Sequence, residues 1–443
     1  MPGKTPVKKI NAEQVKEGVE TFSETVAPKL DPKARNMCLK CRGAKRLCGK
    51  DRCPVLQKYY SQIGKGKNKK FDTKKIEGNS PPSVFVGRYN YPRVNIGPLV
   101  PPEKGDTSIY SRPERWFGKA EMEDIIEMRG SLARGKHKLK NDITVDNLNR
   151  EEEEIRYIVL SKRPTETEVK FRKRLVESIK LDGRSQPHGP SAQMESFRRG
   201  SMTSDKQLEK VFYDTDLKAT EAVKKLYNKG TPVSRIQEIF SVGGTGTGGD
   251  RKFVPTRWSI TAVDDILGKD MRREVKTYPK INQWHVYTAN YLDNQWVIIF
   301  TPESWRYELI EAFYPETTWN PSKDSITIFG DHEEFDGRDD YASIGGCYYS
   351  ARLAALEKLE QERRQAGVLV LREAKPGYIL PVGVWNVRES VRNALKEKPV
   401  KFENRNKTFN YLKQVLDLDF KQWISVSKLL KSRQKQKNLS CFT

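Results

Sequence analysis

The sequence predicts an α+β protein with a small N-terminal four-cysteine module, a larger mixed α+β domain and a helical C-terminal region. Three observations support this prediction. Four of the six cysteines lie between Cys38 and Cys53. The segments after residue 80 show both helical and strand periodicity, without the strict strand–helix alternation of a doubly wound fold. From residue 401 onward the pattern is helical, and a chain of 443 residues can bury a large core without cross-links.

The four-cysteine module, residues 36–58, has the spacing of a zinc site. Two residues separate Cys38 from Cys41, and Cys48 and Cys53 complete the set. Zinc binds four thiolates as a closed tetrahedron, and a two-residue spacing lets a tight turn direct both sulfurs toward one ion. Four thiolates leave no open coordination position, so we expect the metal to stabilise structure and not to take part in catalysis.

Other chemistry is possible at these cysteines: an iron–sulfur cluster, disulfides, a redox pair or buried free thiols. The sequence shows no secretory signal and no apolar run of about 20 residues, so we expect a reducing, cytoplasmic compartment and no membrane association. Disulfides are disfavoured in such a compartment. A redox pair usually follows a strand, and no strand pattern precedes Cys38. An iron–sulfur cluster is therefore the main alternative to zinc.

The charge of the chain suits a polyanionic partner. The net charge is +23 and the mean hydropathy is −0.75. Residues 1–80 contain 20 Lys and Arg against eight Asp and Glu, and the chain after Asp419 contains six Lys and Arg and no acid. Nucleic acid is the commonest partner of such cationic segments. A solubilising surface would give the same net charge, so charge alone does not decide between the two.

Composition and periodicity divide the chain into segments around a mixed core. The predicted segments are a flexible basic arm (1–35), the four-cysteine module (36–58), a basic linker (59–80), the two parts of the core (81–240 and 250–400), C-terminal helices (401–431) and a tail (432–443). The glycine-rich run 242–250 matches GxGxxG, but it follows a helical pattern, whereas a dinucleotide loop follows a strand. We interpret this run as a loop.

Periodicity also predicts individual elements within the core. Amphipathic helices are predicted at 119–134, 166–180, 204–228, 350–366 and 420–430. Strands are predicted at 285–292, 295–301 and 367–372, with Asp293 and Asn294 as a two-residue hairpin turn between the first two.

Two short segments combine cations with aromatic residues. Arg88, Tyr89 and Arg93 lie close together in the first, and Arg257 precedes Trp258 in the second. Aromatic rings stack on nucleic-acid bases and arginines bind phosphates, so these residues are candidates for binding a nucleic acid or a nucleotide. The same residues could line a sheet surface, or belong to a buried indole and a structural ion pair.

An acidic segment offers an enzymatic alternative. Residues 331–340 hold the densest set of acids in the chain, and converging carboxylates bind magnesium. A metal-dependent nuclease, or another enzyme that processes nucleic acid or nucleotides, could use them. Acidic runs are more often solvated loops that balance nearby bases. The four histidines are scattered and nominate no catalytic triad.

The tail has the pattern of a docking peptide. In a 3₁₀ turn, which has about three residues per turn, Gln436, Leu439 and Phe442 would form one line. This line resembles the Gln-x-x-aliphatic-x-x-aromatic-aromatic peptide (PIP motif) that binds the DNA polymerase sliding clamp, PCNA. Thr443 stands where the second aromatic is usual, so we expect weaker binding.

Several segments together resemble one family. They are the cysteine module, Ser83–Gly87 with Asn95–Pro98, Val254–Ala262, Tyr348–Ala354 and Val382–Glu389. In this order they are similar to the archaeal Nre DNA-repair proteins over residues 36 to 443. The resemblance implies DNA repair, zinc held by the cysteines of the module, and recruitment to the sliding clamp by the tail; it implies no catalytic residues. Our leading hypothesis is therefore a DNA-binding repair factor recruited by the clamp.

Overall fold

The computed structural model describes residues 71, 73–139, 145, 148–175, 188–315, 317, 320, 324–378 and 381–435, with only the backbone given beyond residue 431. Two sets of predicted residues lie outside this part of the chain. They are the zinc ligands Cys38, Cys41, Cys48 and Cys53 and the clamp anchors Gln436, Leu439 and Phe442.

The first of two sheets contains six short strands. They are β1 (Lys75–Ser80), β2 (Val84–Val86), β3 (Asn95–Val100), β4 (Ala133–Lys138), β5 (Thr165–Phe171) and β6 (Ser191–Arg199). Their order is β1-β5-β6-β4-β3-β2, and the β4–β6 pair is parallel while the others are antiparallel. Alternate residues are buried along β5, as expected for a strand with one face on a core. Val84, Ile96 and Val169 belong to this core.

The second sheet also contains six strands. They are β7 (Trp284–Tyr291), β8 (Asn294–Thr301), β9 (Arg306–Phe313), β10 (Thr327–Glu333), β11 (Gly367–Ala374) and β12 (Val400–Phe402), in the order β10-β9-β11-β8-β7-β12. Every residue of β8 and β11 is buried. Both strands read as nearly continuous apolar runs, which is the pattern of a strand covered on both faces.

The α-helices in the described part of the chain are α1 (Met122–Gly130), α2 (Arg150–Tyr157), α3 (Lys206–Tyr213), α4 (Ala219–Asn228), α5 (Val233–Ser241), α6 (Thr256–Val275), α7 (Gly346–Glu362), α8 (Trp385–Ala394), α9 (Arg405–Val415), α10 (Phe420–Val426) and α11 (Lys428–Lys435). Some of them cover both faces of the second sheet. On one face, Leu267 of α6 and Leu356 of α7 join the core. On the other face, Leu412 of α9 and Trp423 of α10 pack with strand residues such as Leu369. The C-terminal helices are thus a layer of the core.

Four helices converge on one buried carboxylate. Asp264 of α6 accepts hydrogen bonds from Arg388 of α8 (2.9 Å), Ser350 of α7 (2.5 Å) and Gln237 of α5 (3.0 Å). Asp264 and Ser350 are fully buried, and Arg388 is nearly so. Removing one partner from such a buried pair leaves an uncompensated charge, which costs about 3–5 kcal/mol. The network therefore holds the four helices in one arrangement.

The α+β class is confirmed, and most strongly periodic elements occur as predicted. The helix predicted at 350–366 corresponds to α7, and the strand predicted at 367–372 corresponds to β11. The segment 204–228 contains two helices, α3 and α4, and the segment 119–134 contains the shorter helix α1, followed by β4.

Three local predictions are wrong. The helix predicted at 166–180 is instead strand β5 at its start, because residues 165–171 alternate between buried and exposed and pair with β1 and β6. The hairpin turn is displaced by one residue, since Leu292 and Asp293 have positive φ while Asn294 begins β8. The segment 59–80, predicted as a linker, ends in β1, which pairs with β5 through its backbone.

Candidate nucleic-acid interface

The loop between β2 and β3 lies against the N-terminal end of α6. The backbone N–H of Val86 donates a 2.9 Å hydrogen bond to Oγ1 of Thr256, the first residue of α6. The hydroxyl of Ser241 donates to the carbonyl of Val254 at 2.7 Å, which holds the segment that leads into the helix. A loop of the first sheet and a helix of the second core are thereby placed side by side.

The loop itself, residues 87–94, is closed by its own backbone. The N–H of Gly87 donates to the carbonyl of Asn95 at 2.7 Å, and the N–H of Arg93 donates to the carbonyl of Asn90 at 2.9 Å. Asn90 has a φ of 65°, a left-handed conformation that asparagine tolerates better than most residues. This closed loop brings both of its tyrosines, at positions 89 and 91, to the surface.

Three aromatic side chains are exposed at this junction. Tyr89 is 65% exposed, Tyr91 is 45% exposed and Trp258 is 43% exposed. The rings of Tyr91 and Trp258 contact each other, with centroids 4.9 Å apart and planes tilted by 58°. Within the part of the chain that the structure describes, only seven large hydrophobic side chains are exposed, and three of them are here. Clustered exposed apolar surface is typical of a binding site.

One arginine lies against these rings, and two more are close to them in the sequence. The guanidinium of Arg88 lies 4.8 Å from the centroid of the Tyr89 ring and donates to its hydroxyl at 3.3 Å. Arg93 is exposed on the same loop, and Arg257 is half-buried next to Trp258. No acidic residue occurs in the stretches 84–102 and 251–263. We call the six residues Arg88, Tyr89, Tyr91, Arg93, Arg257 and Trp258 the aromatic–cationic cluster.

The residue types of this cluster are suited to binding bases and phosphates. Each base that stacks on an aromatic side chain contributes about 1–3 kcal/mol, and every base has a face that can stack. Guanidinium groups bind phosphates through paired N–H donors. The structure brings the two predicted segments side by side, through the Val86–Thr256 hydrogen bond and the contact between Tyr91 and Trp258. Sequence reasoning missed the contact between Tyr91 and Trp258, because nothing in either segment indicates that they meet.

Acidic residues of the segment 331–340 form ion pairs with arginines. Asp331 contacts Arg338 at 3.0 Å, and Glu333 is buried between Arg352 and Arg272. Burial acts to raise the pKa of Asp331, but hydrogen bonds from Arg338 and from backbone N–H groups outweigh it and lower the pKa. Among the described residues, no group of three or more His, Cys, Asp or Glu could hold a metal ion. The proposed magnesium site of a nuclease therefore finds no support in this segment.

No helix within the described ranges is both long enough and apolar enough to span a bilayer.

Comparison with known proteins gives a consistent family assignment. The chain matches the family model "Archaeal Nre, N-terminal" over residues 47–320 and "Archaeal Nre, C-terminal" over residues 333–442. It is 40% identical to DNA repair protein NreB of Archaeoglobus fulgidus over 403 residues, which cover 91% of this chain and 98% of the relative.

Two further relatives extend the match. DNA repair protein NreA of Archaeoglobus fulgidus is 39% identical over 373 residues, which cover 83% of this chain and 90% of the relative. DNA repair protein NreA of Haloferax volcanii is 33% identical over 328 residues, which cover 72% of this chain and 78% of the relative. No solved structure matches the chain significantly.

Proposed function

Because the chain belongs to the archaeal Nre family, we propose that it acts in DNA repair and binds DNA through the aromatic–cationic cluster. The relatives that match most of the chain are named DNA repair proteins. The net charge of +23 suits a polyanion. The contact between exposed Tyr91 and Trp258 is the single observation on which the choice of site depends.

The chemistry of the cluster favours unpaired bases. Duplex recognition usually places a helix or a strand in a groove, whereas exposed rings next to arginines suit bases that have left the stack. Tyr89, Tyr91 and Trp258 supply the rings, and Arg88, Arg93 and Arg257 supply cations for the flanking phosphates. The preferred DNA would therefore contain a single-stranded or frayed segment.

Recruitment to the sliding clamp is the second part of the proposal. Gln436, Leu439 and Phe442 would dock as a PIP-like peptide directly after helix α11. The start of α11 is anchored in the core, because Glu308 of β9 accepts a hydrogen bond from the Ser427 hydroxyl at 2.5 Å and others from the N–H groups of Lys428 and Leu429. A tail anchored in this way would connect the clamp to the folded part of the protein.

The third part concerns the cysteine module. Cys38, Cys41, Cys48 and Cys53 would hold one structural zinc ion, and the six cations within residues 40–52 would add to the attraction for DNA phosphates. With four thiolates the zinc would support folding of the module and would not activate water.

Fluorescence anisotropy with labelled single-stranded and duplex oligonucleotides tests the DNA-binding proposal. We expect tighter binding to the single strand. We also expect log K to fall with log salt concentration, with a slope of about −0.7 for each phosphate that is neutralised on a single strand. An affinity that does not change with salt would contradict the proposal, as would equal binding to an uncharged DNA analogue with a neutral backbone.

A further inference from the structure

The outer face of the first sheet adjoins the aromatic–cationic cluster. Both neighbours of Phe85 in β2 belong to the core of this sheet, so Phe85 itself projects from the opposite, outer face. The same reasoning places Arg134 of β4 on the outer face, because its neighbour Ala133 is a core residue. Loop 87–94, which carries part of the cluster, joins the edge strand β2 to β3.

Phe85 and Arg134 meet on this outer face. Their strands are separated by β3, where Gly97 is paired with Phe85 and has no side chain to stand between them. The guanidinium of Arg134 lies 3.9 Å from the centroid of the Phe85 ring, over the face of the ring. Both side chains are half-buried, so the pair is partly open to solvent. A guanidinium supported by a ring offers a planar cationic surface on which a base can stack.

The Phe85 ring also reaches the loop of the cluster. A Cβ atom at Gly87, the first residue of the loop, would lie only 3.1 Å from Cζ of Phe85. At the other end of the loop, Asn95 projects from the outer face, since the next residue, Ile96, belongs to the core. Both ends of the loop therefore meet the outer face of the sheet.

Two amide side chains extend this surface from β3 to β6. Nε2 of Gln193 donates a 3.0 Å hydrogen bond to Oδ1 of Asn95. Gln193 is exposed and Asn95 is half-buried. Among the described residues, Oε1 of Gln193 and Nδ2 of Asn95 have no hydrogen-bond partner. One acceptor and one donor thus remain for the edges of bases, which amide side chains recognise well.

The charge of the outer face differs between its two halves. Strands β2, β3 and β4 contain no acidic residue, and Arg134, Lys136 and Lys138 alternate along the outer side of β4. In the half formed by β1 and β5, cations face acids, as in the 2.7 Å ion pair of Lys75 with Glu168. The half next to the cluster therefore has an excess of positive charge, which favours an anionic partner.

From these observations we propose that the outer face of β2, β3 and β4 holds the continuation of the single DNA strand that the aromatic–cationic cluster binds. A base stacks on the guanidinium of Arg134, the free amide atoms contact base edges, and exposed Lys138 binds a phosphate. We call this set the outer-face patch; its residues are Phe85, Asn95, Arg134, Lys136, Lys138 and Gln193.

A single strand suits this surface better than a duplex does. Unpaired bases can lie flat on an open sheet face, whereas the bases of a duplex are stacked inside the helix. The inference rests on the proposed function and adds the path of the strand to it. The strand would run from the N-terminal end of α6, over loop 87–94, and onto the first sheet.

Fluorescence anisotropy with labelled oligothymidines of two lengths tests this path. The short strand, of about four nucleotides, fits the cluster alone, and the long strand, of about twelve, also reaches the outer-face patch. Substitutions in the patch should therefore weaken binding of the long strand and leave binding of the short strand unchanged. Trp258→Ala, in the cluster, should weaken binding of both.

Two variants with a matched control locate the path. Lys138→Gln should weaken binding of the long strand about threefold or more and reduce its salt slope by about 0.7, since one phosphate contact is lost. Phe85→Leu should weaken it about fivefold or more, because the guanidinium of Arg134 loses its supporting ring. The control Lys170→Gln changes an outer-face lysine of β5 that pairs with Glu195, and should change neither affinity.

Two results would overturn the inference while the proposed function stands. The first is full-strength binding of the long strand by both Lys138→Gln and Phe85→Leu when Trp258→Ala weakens it, which would mean that the strand leaves the cluster by another route. The second is an equal loss for the short and the long strand in Lys138→Gln, whose exposed position keeps the fold out of question. Absence of binding of either strand to the wild type would contradict the proposed function, and this inference with it.

Discussion

The indole ring of Trp258 contacts the phenol ring of Tyr91, although one belongs to a helix of the second core and the other to a loop of the first sheet. The hydrogen bond between Val86 and Thr256 supports this contact. The two rings can form a common surface only when both halves of the protein are folded against each other. The surface is therefore a product of tertiary structure and not of one sequence motif.

The first prediction concerns this contact. Replacing Trp258 with Ala should weaken binding to single-stranded DNA by about 1–3 kcal/mol, because one stacking surface is lost. The measurement is anisotropy at a single salt concentration. Tyr213→Ala is the matched control, since Tyr213 is also an exposed aromatic residue (60%) but lies outside the cluster. Equal losses in the two variants would show that the cluster is not the binding site.

A second prediction concerns the buried network at Asp264. Replacing Arg388 with Met should destabilise the protein by about 3–5 kcal/mol, because Asp264 then keeps its charge without its cationic partner. Urea unfolding measures the change. Arg273→Met, which alters an exposed arginine of the same helix as Asp264, should have little effect. A stability of the Arg388 variant equal to that of the control would contradict the role given to the pair.

Metal analysis provides the third prediction. The purified protein should contain one zinc ion per chain and no iron, and Cys41→Ser should abolish zinc binding because three thiolates remain. Elemental analysis by mass spectrometry gives both values. Cys347→Ser should retain the zinc, because Cys347 is remote in sequence from the module. Iron and sulfide in equal amounts would instead indicate a cluster.

The fourth prediction concerns the tail. A chain that ends at Lys435 should lose binding to the sliding clamp, and Phe442→Ala should weaken that binding strongly, since an apolar anchor is removed. Both should bind DNA as the full chain does. Calorimetry with the purified clamp measures the first effect and anisotropy the second. Clamp binding by the truncated chain at full strength would show that the tail is not the docking peptide.

The fifth prediction is a dependence of stability on pH. Burial raises the pKa of Glu373 to about 7, with a smaller contribution from Asp417 and opposing hydrogen bonds from backbone N–H groups. The folded protein therefore holds a proton that the unfolded chain releases near pH 4.5. Between these two values the free energy of unfolding should fall as pH rises.

The variant Glu373→Gln tests this dependence, because the amide oxygen can still accept from the N–H of Leu418. Urea unfolding at a series of pH values should show a flatter profile for the variant between about pH 4.5 and 7. Glu397→Gln, at an exposed position, should retain the wild-type profile. A pH profile of the Glu373 variant as steep as that of the wild type would contradict the role given to Glu373 in the pH dependence of stability.

Much of the fold follows from local pattern. The strand β11 is recognisable because its apolar residues form an unbroken run, and the helix α7 is recognisable because it is rich in Ala, Leu and Glu. Strand β5 was not recognised, since its alternation includes the buried Thr165 and Thr167, which a hydropathy pattern counts as polar. They lie on the same face of β5 as Val169, which belongs to the core of the first sheet, so their burial comes from tertiary packing.

The functional sites can also be predicted from the sequence only in part. The arginines and aromatic residues of the cluster can be chosen from the sequence because of their chemistry. That two of the aromatic residues meet depends on the contact of a loop with a helix, which the sequence does not show.

In the proposed clamp complex, the anchoring of α11 by Glu308 would limit how far the protein can move relative to the clamp. Gln436, the first residue of the proposed docking peptide, follows directly after Lys435, the last residue of the helix, so no linker separates the peptide from α11. A clamp bound to it could not sample distant orientations. It would sit close to the C-terminal layer of the second sheet, so the ring and the repair protein would move along DNA almost as one body.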